Sequence, residues 1–234
     1  QGSINGDRRT GMFRYVYDNN GIFGSVSYQT AADGSSVAGN NADVEGGFAA
    51  AAGYTFDNVV FGPLSFKAGY SYIKGQNDFS KTIVQFKNSE TFDNFKVISA
   101  SIAWGSTDNG LYIGALYNTQ RVKQRANDFV PSNSSNSDKK KGYEFVVGYT
   151  LDNGIGAFTG YNFVDQKYKV GSINQGTATI RRVPVYVNYA INGNFNIWGE
   201  AEFDANSSTT KDGQRQYPEF ETGTMLSAGA RYTF

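Results

Sequence analysis

A two-residue period is what most constrains this chain. Polar and apolar residues alternate through about eleven segments of roughly ten residues each, the length a tilted strand needs to cross a bilayer. The period is plainest in residues 225–234, where Leu226, Ala228, Ala230, Tyr232 and Phe234 share one face and Ser227, Gly229, Arg231 and Thr233 share the other. Successive side chains of a strand point to opposite faces, so such a segment has one greasy side and one small or polar side. This segment stops on an aromatic residue with no polar tail, which calls for apolar surroundings. A half-apolar strand also occurs in soluble sandwiches, so the remaining segments have to decide between the two.

The same alternation runs through residues 8–18, 22–29, 44–56, 64–72, 95–105, 111–120, 143–151, 155–163, 181–191 and 195–204. In 44–56, for example, Phe48, Ala50, Ala52, Tyr54 and Phe56 oppose Glu45, Gly47, Ala49 and Thr55. No helical period interrupts the series. The connections are of two kinds. Short turns rich in Asp, Asn and Gly fall at Asp18 to Gly21, Thr107 to Gly110, Asp152 to Gly154 and Asn192 to Asn194, where Asn and Gly supply the positive φ of tight hairpins. Long polar loops are expected near 30–43, 73–94, 121–142, 164–180 and 205–223. Short turns at one end and long loops at the other are the pattern of an outer-membrane barrel, whereas Greek-key sandwiches do not segregate loop length this way. Tyr54, Phe56, Tyr149 and Phe163, at segment ends, suit interfacial aromatic girdles.

Composition narrows the chemistry. Lys+Arg 21 balance Asp+Glu 21, so no net charge supports nucleic-acid binding. The chain has no His, which removes Ser-His triads, His general bases and His-ligated zinc, and no Cys, which removes a disulfide framework. No run approaches the roughly 20 apolar residues of a spanning helix. The sequence begins at Gln1 with no charged-then-apolar leader, consistent with a removed signal peptide or an N-terminus other than the natural one.

If the apolar faces meet lipid, the opposite faces line a water-filled lumen and their charges set the field for permeating ions. The inward basic candidates are Arg8, Arg14, Lys67, Arg182 and Arg231; the acidic ones are Glu45, Glu144, Glu200, Glu202 and Asp204. Glu200, Glu202 and Asp204 repeat every second residue and point the same way, so they cannot flank a scissile bond as a glycosidase acid and base must. They form an acidic stripe. Arg121, Lys123 and Arg125 with Lys139 to Lys141 are a solvated loop or a contact for lipopolysaccharide phosphates. Tyr112, Phe158, Tyr186 and Trp198 fall on the lumen side and leave open a role in guiding sugars.

With these features assembled, the chain resembles the trimeric general diffusion porins of Gram-negative outer membranes. Gly229-x-x-Tyr232-x-Phe234 matches the terminal signal by which such barrels are recognised for insertion. Gly142 to Phe145 through Asp152-Asn153-Gly154, and Val185 to Phe203 with its Asn-Gly turn, are similar to that family's later strands. The resemblance implies an all-β, transmembrane antiparallel β-barrel, a single domain over residues 1–234, with about eleven strands forming part of a sixteen-stranded porin barrel. Ile4 to Gly11 then looks like the segment that leaves the infolded constriction loop, Arg8 stands where the family places a constriction arginine, and roughly one hundred residues of N-terminal strands are expected to be absent. The implied function is passive diffusion of small hydrophilic solutes and ions through a homotrimeric outer-membrane channel, embedded in lipid and lipopolysaccharide, without cofactor, metal, nucleic acid or catalytic step. The alternatives are a barrel hydrolase and a structural, adhesive or substrate-specific barrel that binds partners through its long extracellular loops.

Overall fold

The computed structural model describes residues 11–37, 40–76, 92–124, 137–170, 173–205 and 223–233. They form one antiparallel sheet of twelve strands: β1 (Met12–Asn19), β2 (Ile22–Gln29), β3 (Ala32–Val37), β4 (Asn40–Val59), β5 (Gly62–Gly75), β6 (Phe92–Gly105), β7 (Gly110–Gln124), β8 (Ser137–Thr150), β9 (Ile155–Val170), β10 (Ile173–Ala190), β11 (Phe195–Asp204) and β12 (Met225–Tyr232). Each strand pairs with its neighbour in sequence, except that β2 and β3 both pair with β4. β2 covers the Gly47 to Tyr54 part of β4 and β3 the Asn40 to Val44 part, so the two are one stave broken at Thr30 and Ala31. Twelve strands, two of them sharing a stave, leave eleven staves, and the segments inferred from alternation fall on them. Among the described residues β1 pairs only with β2 and β12 only with β11.

The tight turns form as their residues dictate. Asn19 pairs with Ile22, and the two residues between, Asn20 and Gly21, have φ of 52° and 76°. Positive φ at both central positions gives a type I′ hairpin, whose twist matches that of the strands it joins. At the opposite end the expected long loops need correction. Residues 164–170 and 173–180 are strand where a loop is expected: β9 and β10 stay paired from Val164 opposite Ile180 to Val170 opposite Ile173. Arg121 opposite Lys139 and Lys123 opposite Ser137 likewise extend the β7–β8 ladder into the span read as loop, and β3 occupies much of 30–43. Beyond the alternating segments the backbone ladder, which does not depend on side-chain polarity, continues.

Directly paired residues share a face, so the register carries each face around the sheet. One face runs Tyr15, Val26, Ala50, Tyr70, Ile98, and further round Phe145, Tyr161 and Val187, Gly199, Ala228. It carries most of the large exposed apolar side chains, among them Phe13, Tyr28, Phe48, Phe66, Ile98, Phe145, Val147 and Leu226. Its aromatics gather in two belts. Toward the loops Phe13, Tyr28, Phe48 and Tyr72 oppose one another in successive staves, as do Tyr117, Tyr143 and Phe163; toward the turns stand Tyr54, Phe56, Trp104, Tyr149, Tyr189 and Tyr232. Phe48 to Phe56 is roughly 27 Å of strand at about 3.4 Å per residue, or about 20 Å of height at a tilt near 40°. Phe61 stacks on Trp104 at 4.1 Å while the Trp104 indole N–H donates to the Val59 carbonyl at 2.6 Å, the apolar-body, polar-tip arrangement suited to a membrane interface.

The other face is concave, since side chains from β5 to β10 line one cavity on it. A small buried cluster of Val37, Ala42, Val44, Ile73 and Phe95, backed by Val97 and Val122, sits at its loop end.

Candidate functional site

The concave face is built of rows. One runs Gly53, Lys67, Ser101, Leu116, Glu144, Asn162, Arg182, Asp204, each residue directly opposite the next across β4 to β11. Four candidates from widely separated segments, Lys67, Glu144, Arg182 and Asp204, thus fall in one line. Lys67 holds its ammonium 4.9 Å above the Phe23 ring, and both Lys67 and Glu144 are exposed. Arg182 behaves differently: only 8% exposed, it donates to the Gly223 carbonyl at 2.6 Å and lies 3.8 Å from Glu202. Its charge ties β10 and β11 to the approach to β12, because a buried guanidinium has to satisfy its donors within the wall.

The remaining candidates fall at several heights. Arg14 faces inward opposite Ser27, Glu200 lies between Tyr186 and Ser227, Glu202 between Pro184 and Met225, and Arg231 opposite Asn196. Glu45 departs from the alternation. A bulge between Val44 and Gly46 reverses the parity of β4, so Val44 enters the buried cluster with Ile73. Glu45 instead meets Lys74, the outward neighbour of Ile73, at 2.8 Å. Arg8, Arg125 and Phe234 lie outside the described residues. Of the terminal motif, Gly229 faces inward under Trp198 and Tyr232 faces outward opposite Phe195.

A second row lies four residues nearer the turns: Gly105, Tyr112, Gly148, Phe158, Tyr186, Glu200, Ser227. With Trp198 beside Glu200 it makes a chain of rings, Tyr112–Phe158 6.4 Å, Phe158–Tyr186 6.3 Å and Tyr186–Trp198 6.5 Å between centroids. Glycines create the room. A Cβ at Gly148 would fall on the Phe158 ring, and one at Gly229 would stand 2.5 Å from the Trp198 benzo edge. Alternation alone places these aromatics inward; their contact appears only once the register across five strands, β7 to β11, is known.

Between the two rows lie small or compact residues, Gly114, Val146 and Pro184, over a cavity of about 570 Å³ that Lys67, Glu144, Asn162 and Tyr112 also line. Amide and hydroxyl pairs add hydrogen-bonding edges to this face: Asn118 to Ser99 at 2.8 Å and Asn196 to Asn188 at 2.9 Å.

On the outer face, loopward of the aromatic belt, Lys96, Arg121, Lys139 and Lys167 stand directly opposite one another in four successive strands. Like charges in that position repel. Lys167 has Asp165 at 3.8 Å and Lys96 lies 5.5 Å above the Tyr72 ring.

No protein-family model matches the sequence, and no curated protein matches it. Among solved structures the chain is similar to Salmonella typhi OmpF in complex with daunomycin, with a TM-score of 0.58 and 19% identity over 85% of this chain. It spans 55% of the length of that chain. The likeness establishes a porin-like all-β fold.

Proposed function

We propose that this chain forms the wall of a passive, water-filled channel of the Gram-negative outer membrane for small hydrophilic solutes and ions. The observation that carries the reading is one continuous sheet with two chemically opposite faces. The convex face exposes large apolar side chains across all eleven staves, far more contiguous apolar surface than the few hundred Å² a soluble monomer tolerates. The concave face carries Lys67, Glu144, Glu200 and polar amides around a cavity. Lipid on one side and water on the other satisfies both.

In this reading solutes pass by diffusion, and the exposed inward charges bias which ions enter. Arg182, held in the wall, acts on shape more than on the ionic atmosphere. The open edges of β1 and β12 would be closed by further strands of a sixteen-stranded barrel, with this chain as its C-terminal two-thirds, assembled as a homotrimer. The cation row Lys96, Arg121, Lys139, Lys167 supports contact with anionic headgroups, lipopolysaccharide phosphates above all, which would relieve its mutual repulsion.

Reconstitution of the native polypeptide into planar bilayers tests the reading. Ohmic current rising in multiple steps is the expected result; protein that inserts without conducting would overturn it. Intact-mass measurement of the same sample reports the length of the polypeptide that conducts.

A further inference from the structure

Resting on the channel reading, we infer that the furrow between the polar row and the aromatic row is a binding site for short neutral oligosaccharides. A pyranose offers an apolar C–H face and a rim of hydroxyls, and the furrow offers the complement of each. On its turn side Tyr112, Phe158, Tyr186 and Trp198 form a half-buried chain with centroids 6.3 to 6.5 Å apart. Phe158 and Trp198 are seated over Gly148 and Gly229, so they hug the wall instead of crossing the lumen. Rings seated in this way present a face to a passing solute, the geometry stacking requires.

On its loop side Lys67, Glu144 and Asn162 supply donors and acceptors, with Gly114 and Val146 leaving the floor open. The rows are four residues apart, about 14 Å along the strands. The cavity, about 570 Å³, is in the range that holds a small ligand.

Charge selects the ligand class. The cavity lining holds one cation, Lys67, and one anion, Glu144, three strands apart, or roughly 14 Å at about 4.8 Å per strand. The cavity lining itself carries no net charge, Glu200 and Glu202 beside the rings disfavour an anionic ligand, and the Lys67–Glu144 spacing exceeds what a single zwitterionic amino acid can bridge. Space filling over glycine explains Phe158 and Trp198 singly. It does not account for the continuation through Tyr186 and Tyr112 to the lip of a polar-rimmed cavity.

Two readouts separate this site from the channel. In a Trp104→Phe background Trp198 is the sole tryptophan of these 234 residues, and titration of the detergent-purified native polypeptide with a neutral trisaccharide such as raffinose should change emission saturably, a change lost when Trp198→Phe is added. In bilayers the same sugar should block current, and Tyr186→Ala should raise the half-blocking concentration roughly tenfold, as loss of one stacking contact implies. Tyr186→Phe, which keeps the ring, should restore block. A conducting channel with no block and no Trp198 response overturns the site and leaves the channel standing; a Trp198 response in a protein that never conducts supports the site and overturns the channel. Block by a zwitterionic tripeptide, with no effect of the trisaccharide, would also overturn the assignment.

Discussion

In the channel reading, adjacent residues of β8 meet different solvents. Phe145, Val147 and Tyr149 point outward, each about half exposed, and touch little protein; Glu144, Val146 and Gly148, one step along the same backbone, enter a face where neighbouring side chains fix how much room each has. An outward side that meets lipid should be sensitive to polarity and forgiving of shape, because lipid flows around whatever is there. The inward side is forgiving of polarity and sensitive to shape. The same substitution should therefore have opposite consequences one residue apart.

The largest effect tests polarity. On β6 Ala100 stands outward, four residues from Trp104 of the turnward belt and four from Lys96, which opposes Tyr72 of the loopward belt, and Ser101 follows it on the inner face. Ala100→Arg should cost about 2–4 kcal/mol, the price of a guanidinium at the bilayer midplane, read by urea unfolding in lipid vesicles. Ser101→Arg should leave that stability nearly unchanged and lower the single-channel conductance. Equal losses at the two positions would break the distinction between the faces.

The next effect tests shape. Gly148→Val would drive its side chain into the Phe158 ring, and overpacking of this kind costs about 1–3 kcal/mol. Val147→Phe, one residue away and outward, should be close to neutral. A tolerated Gly148→Val would mean that Phe158 swings clear, and the chain of rings would then lose its fixed spacing.

How much of this was visible in the sequence follows from the same contrast. The outer face announces itself locally, since alternation within one strand gives Phe48, Ala50, Ala52, Tyr54 and Phe56 their side without any partner. The inner face is assembled across strands. Lys67, Glu144, Arg182 and Asp204 become a row only through six pairings, and Arg182 finds its acceptor at Gly223, 41 residues away. Parity also fails wherever a bulge inserts a residue, as at Val44 and Gly46, and that mis-sided Glu45. The strands run past the loop boundaries that alternation suggests, because backbone pairing continues where alternation stops.

A smaller effect lies at the loop end of the inner face. Asp138, loopward of the Tyr143 belt, accepts from Gln166 Nε2 at 2.7 Å through Oδ2, while Oδ1 is buried without a donor among the described residues. Burial raises its pKa above the usual 3.8, opposed by the nearby Lys140 charge and the Gln166 hydrogen bond. A carboxyl with a raised folded-state pKa binds its proton more tightly folded than unfolded, so stability is lost as pH climbs from about 3.8 through the raised value and stays lower above it. Asp138→Asn should remove that slope and raise stability modestly at neutral pH, measured as unfolding midpoint against pH. An unchanged slope would place the pH dependence elsewhere.

The smallest effect is the sharpest test of where one face ends. Glu45 and Lys74 pair at 2.8 Å with side chains 51% and 48% exposed, so water and salt screen the attraction and side-chain entropy opposes it. Glu45→Gln should change stability by no more than about 1 kcal/mol. Its value lies in the reversal potential under a salt gradient. By simple alternation Glu45 belongs with Glu144 among the inward carboxylates, and neutralising either would then shift cation preference alike. By the bulged register only Glu144 faces the permeant ions, so Glu144→Gln should shift the reversal potential and Glu45→Gln should not. Equal shifts would return Glu45 to the lumen, and the parity reversal at Val44 would have to be wrong.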